Sequence, residues 1–149
     1  MLSGDCAADI IFVLDESGSI GPSHFNLMKS FLSQLVSNLD INDLNAHVGL
    51  VTFSTEVGTG FNLSDYSTVA SVQSAISSLS YSGGNTNTAA ALAHVRTTML
   101  TSAAGDRPNA PNVVVVLTDG VSDDNVTTQV NVQHIDCCLS LIVRMIHFD

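Results

Sequence analysis

Residues 10–19 read IIFVLDESGS, five consecutive apolar residues followed directly by a polar turn. An apolar run of this kind predicts a strand that is buried on both faces, as in the centre of a parallel sheet. Open α/β sheets bind ligands beyond the carboxyl ends of such strands. Here that end carries Asp15, Ser17 and Ser19 at alternate positions, so that their oxygens can converge on one hard cation such as Mg²⁺.

The rest of the chain alternates between the periodicities of strands and helices. Strands are predicted at Ile10–Leu14, Val48–Phe53, Gly60–Leu63, Val113–Leu117 and within Cys138–Phe148. Helices are predicted at Pro22–Leu39, Val69–Leu79, Ala89–Leu100 and, weakly, Asp123–Gln133. This order predicts a Rossmann-like, doubly wound α/β fold with a mostly parallel sheet. The short link before the third strand makes that strand an antiparallel edge.

The predicted topology brings two strand ends together. Right-handed crossovers place the first strand beside Val113–Leu117, with the strand order reversing between them. Asp15 and Asp119 would then face each other across the crevice at this switch point. The glycine-containing loop at residues 83–88 precedes a helix and is expected to close over the same end.

Composition narrows the class of protein. A chain of 149 residues suits one domain with a single core. Its 14 acidic and 4 basic residues give a net charge of −10, which argues against nucleic acid as a partner. No apolar run reaches the roughly 20 residues of a membrane span, so membrane insertion is not expected. The sequence at residues 1–6 does not have the pattern of a signal peptide.

Three separated motifs resemble those of von Willebrand factor type A domains. Residues 15–19, DESGS, are similar to the family's DxSxS motif, residues 83–88, GGNTNT, to its second loop, and residues 118–120, TDG, to its third. The resemblance covers roughly residues 5–130. Residues 6–9, CAAD, look most like modules of matrix proteins such as matrilins and fibril-associated or type VI collagens.

The resemblance implies a metal-ion-dependent adhesion site rather than an enzyme. The metal would be Mg²⁺, with Mn²⁺ or Ca²⁺ as substitutes, and its implied ligands are Asp15, Ser17, Ser19, Thr86 and Asp119. The implied partner is an extracellular protein, such as collagen or another matrix protein, that brings an acidic residue to the metal. The resemblance also implies a secreted protein, and this chain as one module of a larger one.

Further residues are assigned around this site. Glu16, Asn85 and Asp123 are candidates for the rim that contacts the partner, and Glu16 is expected to point into solvent. Asn62 and Asn125 lie in Asn-x-Ser/Thr sequons, which lean weakly toward secretion.

Other interpretations of the same residues stay open. Ser17 and Ser19 could cap the turn or helix that follows them, and Thr86 or Thr88 could cap the Ala-rich helix. A phosphatase of the haloacid dehalogenase type also places an Asp after its first strand, but Ser17 stands where its acid/base Asp is needed. A third interpretation is a structural module with a vestigial metal site.

The carboxyl-terminal part departs from the family pattern. We expect residues 5–149 to form a single domain that is atypical or incomplete after about residue 131. An apolar strand at Leu139–Phe148 would then be an exposed edge, which predicts marginal stability. The pairing of Cys6, Cys137 and Cys138 is open, since an odd number leaves at least one cysteine without a partner in the chain.

Overall fold

The computed structural model describes residues 7–119 and the backbone of residues 139–145. The strands are β1 (Ala8–Asp15), β2 (Ala46–Phe53), β3 (Val57–Phe61), β4 (Asn112–Thr118) and β5 (Leu139–Met145). The helices are α1 (Gly21–Val36), α2 (Val69–Ser77) and α3 (Thr88–His94), followed by a π-helical turn at Val95–Met99 and a 3-10 turn at Ser102–Ala104. Within the described residues, the predicted alternation of strands and helices is confirmed.

The described strands form one mixed sheet in the order β3-β2-β1-β4-β5. β1 pairs in parallel with both β2 and β4, so Phe12 lies between Leu50 and Val115. β4 and β5 are also parallel, whereas β3 runs antiparallel to β2 at one edge. The prediction of a Rossmann-like, mostly parallel sheet with one antiparallel edge strand is therefore confirmed. The strand order reverses at β1 and β4, where ligand sites of such sheets lie.

β1 is buried on both faces because its side chains alternate between two cores. Phe12 and Leu14 pack on the side of α1 and α2. Ile11 and Val13 pack on the other side, against residues of α3 and the π-helical turn. Successive side chains of a strand point to opposite faces, and here they are apolar on both faces. The strand is therefore packed between two cores. The polar residues that follow β1 are held on this rigid element.

Helix α1 begins after Ser17 and Ser19 without using either as a cap. Its N-terminal flanking residue is Ile20, which makes no side-chain capping bond, and proline lies in the first turn. The interpretation that the two serines cap this helix is therefore wrong. The helix ends at Val36 rather than Leu39, and Phe31 and Leu35 of its apolar pattern are 46% and 38% exposed.

Helix α3 is shorter than the sequence predicted. It begins at Thr88, and the Asn87 side-chain oxygen accepts a bond of 3.0 Å from the backbone N–H of Ala90. Asn87 is thus the cap, and the interpretation that Thr86 or Thr88 serves this role is wrong. The predicted continuation to Leu100 becomes the π-helical turn, which Leu100 closes by donating from its N–H to the carbonyl of Val95.

Strand β5 is the outermost strand of the described sheet, next to β4. It begins at Leu139, one residue inside the predicted segment. The predicted helix at Asp123–Gln133, the three cysteines, Asp123 and Asn125 lie outside the described residues. Among the described helices, none combines the length and apolar character that a membrane crossing requires.

Candidate metal centre

Asp15 ends β1 and is wholly buried at the carboxyl edge of the sheet. Its Oδ1 accepts a hydrogen bond of 2.8 Å from the backbone N–H of Ser17. Its Oδ2 accepts one of 2.7 Å from the hydroxyl of Thr118, at the end of β4. Donors from two neighbouring strand ends therefore fix the orientation of this carboxylate.

The two serines connect Asp15 to the third motif. The Oγ atoms of Ser17 and Ser19 lie 3.2 Å apart, within hydrogen-bond distance. The Ser19 hydroxyl donates to Asp119 Oδ1 over 3.0 Å. A chain of hydrogen bonds thus runs from the Asp15 carboxylate through Ser17 and Ser19 to Asp119, although 100 residues separate Ser19 from Asp119. The structure brings together four of the five predicted ligands.

The loop between α2 and α3 carries the fifth, Thr86, to the same edge. The N–H of Gly18 donates to the carbonyl of Gly84 over 2.8 Å, and the N–H of Gly83 donates to the carbonyl of Glu16 over 3.0 Å. Gly84 has a φ of 115°, a conformation that glycine adopts at little cost. Thr86 is buried on this loop. The first and second motifs are therefore bonded together through their backbones.

The charge at this edge is not balanced by the described part of the chain. Asp15 and Asp119 form no ion pair with a lysine, arginine or histidine among the described residues. A buried carboxylate is costly unless it is paired with a cation. The oxygen atoms available at this edge belong to neutral hydroxyls and carboxylates, which are the ligands that Mg²⁺ prefers. The residues present therefore fit a hard divalent cation.

The three residues predicted for the rim of the partner contact differ in exposure where the structure describes them. Glu16 is 3% exposed, so the expectation that it points into solvent is wrong. Its Oε1 lies close to Gly58, where a β-carbon in place of the glycine hydrogen would be only 2.5 Å away, so the β2–β3 hairpin covers the side chain. Asn85 is exposed, and its N–H donates to the Thr55 hydroxyl over 3.0 Å. Asp123 lies outside the described residues.

Sequence reasoning missed the role of Thr118. Its hydroxyl donates to Asp15 and so links β4 to the carboxylate at the end of β1. The available signal was position, because Thr118 directly precedes Asp119 at the end of a predicted strand next to β1. A hydroxyl there can orient a neighbouring carboxylate without itself reaching the cation.

The family model for the von Willebrand factor type A domain matches residues 9–136. The chain belongs to this family. The match covers all three motifs and most of the described sheet. It confirms the resemblance that the motifs indicated.

Curated relatives of this A domain are proteins of the extracellular matrix. The chain is 42% identical over 125 residues to the collagen alpha-1(XX) chain of Homo sapiens, covering 84% of this chain and 10% of that protein. It is 40% identical over 121 residues to Homo sapiens matrilin-1, covering 81% of this chain and 24% of the relative. It is 39% identical over 122 residues to Homo sapiens cochlin, covering 82% and 22%. The chain thus spans a quarter or less of these relatives.

Solved structures of a mussel protein share the fold. Proximal thread matrix protein 1 from the mussel byssus matches with a TM-score of 0.84 at 25% identity, over 93% of this chain and 38% of that one. A further structure of it, with a zinc-occupied MIDAS motif, matches with a TM-score of 0.81 at 25% identity, over the same shares of both chains. The mussel protein therefore holds zinc at its MIDAS motif, that is, at a metal-ion-dependent adhesion site.

Proposed function

We propose that this A domain is a divalent-cation-dependent adhesion module that binds an acidic residue of a matrix protein. The observation that carries the proposal is the buried Asp15 carboxylate, which has hydroxyl and amide donors but no basic side chain among the described residues. Asp15, Ser17, Ser19, Thr86 and Asp119 would hold the cation, with Mg²⁺ as the expected metal. Mn²⁺ or Ca²⁺ could take its place.

The chain's own residues prepare this site for a partner. Thr118 and the Ser17 N–H hold the Asp15 carboxylate in one orientation. Ser17, Ser19 and Thr86 would contribute neutral oxygens, so Asp15 and Asp119 would be the only charged ligands and the ion could still accept a further carboxylate at an open coordination position. A bound Mg²⁺ would supply a Lewis-acidic position for a carboxylate of the partner. Binding would then bridge two proteins through one ion, with no covalent bond made or broken.

The expected setting is the extracellular matrix, with collagen or another matrix protein as the partner. The support is family membership, since the relatives are a collagen chain, matrilin-1 and cochlin, none of them named as an enzyme. We further propose that residues 5–149 form one domain of a larger protein. The exposed Asn85 would lie on the rim of the contact, and glycosylation at Asn62 is compatible with this setting.

Calorimetric titration with MgCl₂ tests the metal site directly. The wild-type chain should bind one equivalent of Mg²⁺, and Asp15→Asn should abolish the binding heat because it removes a charged ligand. Asp43→Asn is the matched control, since Asp43 is an exposed acid at the opposite end of β2. Unchanged binding in Asp15→Asn would overturn the site. No binding in the wild type would favour the structural module with a vestigial site.

Surface plasmon resonance on immobilised matrix proteins tests adhesion. Binding to fibrillar collagen or a matrilin preparation should require Mg²⁺, disappear in EDTA and disappear in Asp15→Asn. Converting the ligand's carboxyl groups to amides should remove the same signal. Binding that is equal in Mg²⁺ and EDTA would contradict bridging through the ion. Turnover of a phosphate ester with Mg²⁺ would instead support the phosphatase alternative.

A further inference from the structure

A cavity of about 700 Å³ lies beside β3, on the sheet face that packs against α1 and α2. Its walls are the exposed backbone of β3, part of α2 and the segment at residues 78–82. Glu16 belongs to the wall although it is 3% exposed. The cavity is therefore a concave surface separate from the proposed metal site. Glu16 lies between the two, because it lines the cavity and directly follows Asp15 at the end of β1.

The Glu16 carboxylate has no charged or hydrogen-bonding partner within the described ranges. The ion pairs found there involve Asp9, not Glu16. Gly58 lies beside both the Glu16 carboxylate and the Thr52 hydroxyl. The Thr52 hydroxyl donates to the carbonyl of Thr59 and accepts from the Thr59 N–H. Its single proton is therefore already used. Glu16 as a residue is 3% exposed, and a carboxylate on so little exposed a residue normally has a cation or several donors.

The cavity offers the features that bind an organic cation. Among the residues lining it, Glu16 and Glu56 are acidic and none is a lysine, arginine or histidine. Phe61, Tyr66 and Tyr81 add aromatic surface, and the rings of Phe61 and Tyr66 meet edge to face at 5.1 Å. Aromatic faces attract ammonium and guanidinium groups, and arginine also stacks on them.

We propose that this cavity binds a basic side chain of a protein partner, preferentially arginine, through the Glu16 carboxylate that lines it. Glu16 pairs with the cationic head, while the aromatic wall receives the stem of the side chain. Glu56 is exposed and contributes only a screened attraction at the mouth. The inference does not depend on the metal, because none of the five implied metal ligands lines the cavity.

Gly58 makes the position of Glu16 possible. A β-carbon at residue 58 would lie 2.5 Å from Glu16 Oε1 and 2.2 Å from the Thr52 hydroxyl oxygen. Both distances are shorter than real contacts, so Gly58→Ala must displace both side chains or shift the hairpin backbone away from them. The exposed hairpin thus offers a way to move the carboxylate without changing its charge.

Nuclear magnetic resonance titration in EDTA tests the proposal apart from the metal site. The probes are N-acetyl-arginine methylamide, its lysine counterpart and the uncharged norleucine counterpart. Arginine should shift the amide signals of Gly58, Thr59 and Gly60 with saturation, lysine more weakly, and norleucine little. Glu16→Gln should raise the arginine dissociation constant at least tenfold, whereas Glu56→Gln should change it less than threefold.

The alternatives give different results. Equal shifts with norleucine, or full affinity in Glu16→Gln, would show that the cavity does not select for charge and would overturn the proposal. An absence of shifts in the wild type at tens of millimolar arginine probe would overturn it as well. If Glu16→Gln does not fold, Gly58→Ala takes its place and should weaken arginine binding by a similar factor. Unchanged affinity in Gly58→Ala would then count against the proposal.

Discussion

The two ends of β1 each carry a wholly buried aspartate, but the chain treats them differently. Asp9, near the start, accepts from the Arg107 side chain at Oδ1 over 2.8 Å and from the Arg107 N–H at Oδ2 over 2.7 Å. Asp15, at the end, accepts from a serine N–H and a threonine hydroxyl, and these are its only donors within residues 7–119. The charge of Asp9 is balanced by Arg107, whereas Asp15 has no basic partner among the described residues. We propose that a bound cation balances the charge of Asp15.

The difference separates a structural carboxylate from one that fits a binding role. Arg107 also donates to the carbonyls of Ala8 and Asn45, so it joins the beginnings of β1 and β2 to the segment before β4. At the other end, four residues from two motifs converge without a basic side chain among the described residues. A buried charge must be compensated in the folded state. The group that balances each carboxylate therefore distinguishes a structural aspartate from one that can bind an external cation.

The largest effect is expected from removing the internal cation. Arg107→Met leaves Asp9 buried without its partner and should lower the free energy of unfolding by about 3–5 kcal/mol. Urea unfolding in EDTA measures the loss. Glu56→Gln is the control, since Glu56 is exposed and its replacement should stay within about 0.5 kcal/mol. A small effect of Arg107→Met would show that the pair of Asp9 and Arg107 does not stabilise the fold.

The next effect is expected from adding the external cation. Mg²⁺ at 100 times its dissociation constant should raise the free energy of unfolding by about 2.7 kcal/mol, because it binds only the folded chain. Thermal unfolding followed by circular dichroism should show this rise in the wild type and in Asp9→Asn, provided the variant folds. Asp15→Asn should melt at one temperature with or without Mg²⁺. A rise that survives in Asp15→Asn would place the ion elsewhere.

Neutralising each aspartate in EDTA sharpens the comparison. Asp9→Asn weakens charge-assisted bonds to Arg107 and should cost about 2 kcal/mol. Asp15→Asn removes an uncompensated charge, and its amide can donate to the Thr118 hydroxyl while its oxygen accepts from Ser17. We therefore expect it to match or exceed wild-type stability without metal. Equal losses in the two variants, measured by urea unfolding, would contradict the distinction between the two ends.

The smallest effect separates helix capping from metal binding at the carboxyl end of the sheet. Asn87→Ala removes the bond to the Ala90 N–H and should lower the free energy of unfolding by about 1 kcal/mol, in EDTA and in Mg²⁺ alike. Asn85→Ala, at an exposed position on the same loop, is the control and should change stability little. A loss that appears only with Mg²⁺ would show that Asn87 acts through the ion rather than as a cap.

Local pattern was sufficient for the framework of the fold. The apolar run Ile10–Leu14 predicted a central strand, because a strand that is buried on both faces has apolar side chains at successive positions. The handedness of crossovers then placed Asp15 next to Asp119, and the structure has the Ser19 hydroxyl bonded to Asp119. Helix ends were less accurate, since Asn87 rather than a neighbouring threonine provides the cap of α3. Several side chains compete for such a cap, and the backbone geometry decides among them.

The sequence by itself determined the order of strands and helices and the three motifs of the A domain, because both are carried by short-range spacing. Only the tertiary structure decided which buried charges are paired. The bond between Asp9 and Arg107 joins residues 98 positions apart, and Glu16 is buried because the β2–β3 hairpin folds over it at Gly58. Such contacts depend on how distant elements pack, and no periodicity along the chain encodes them.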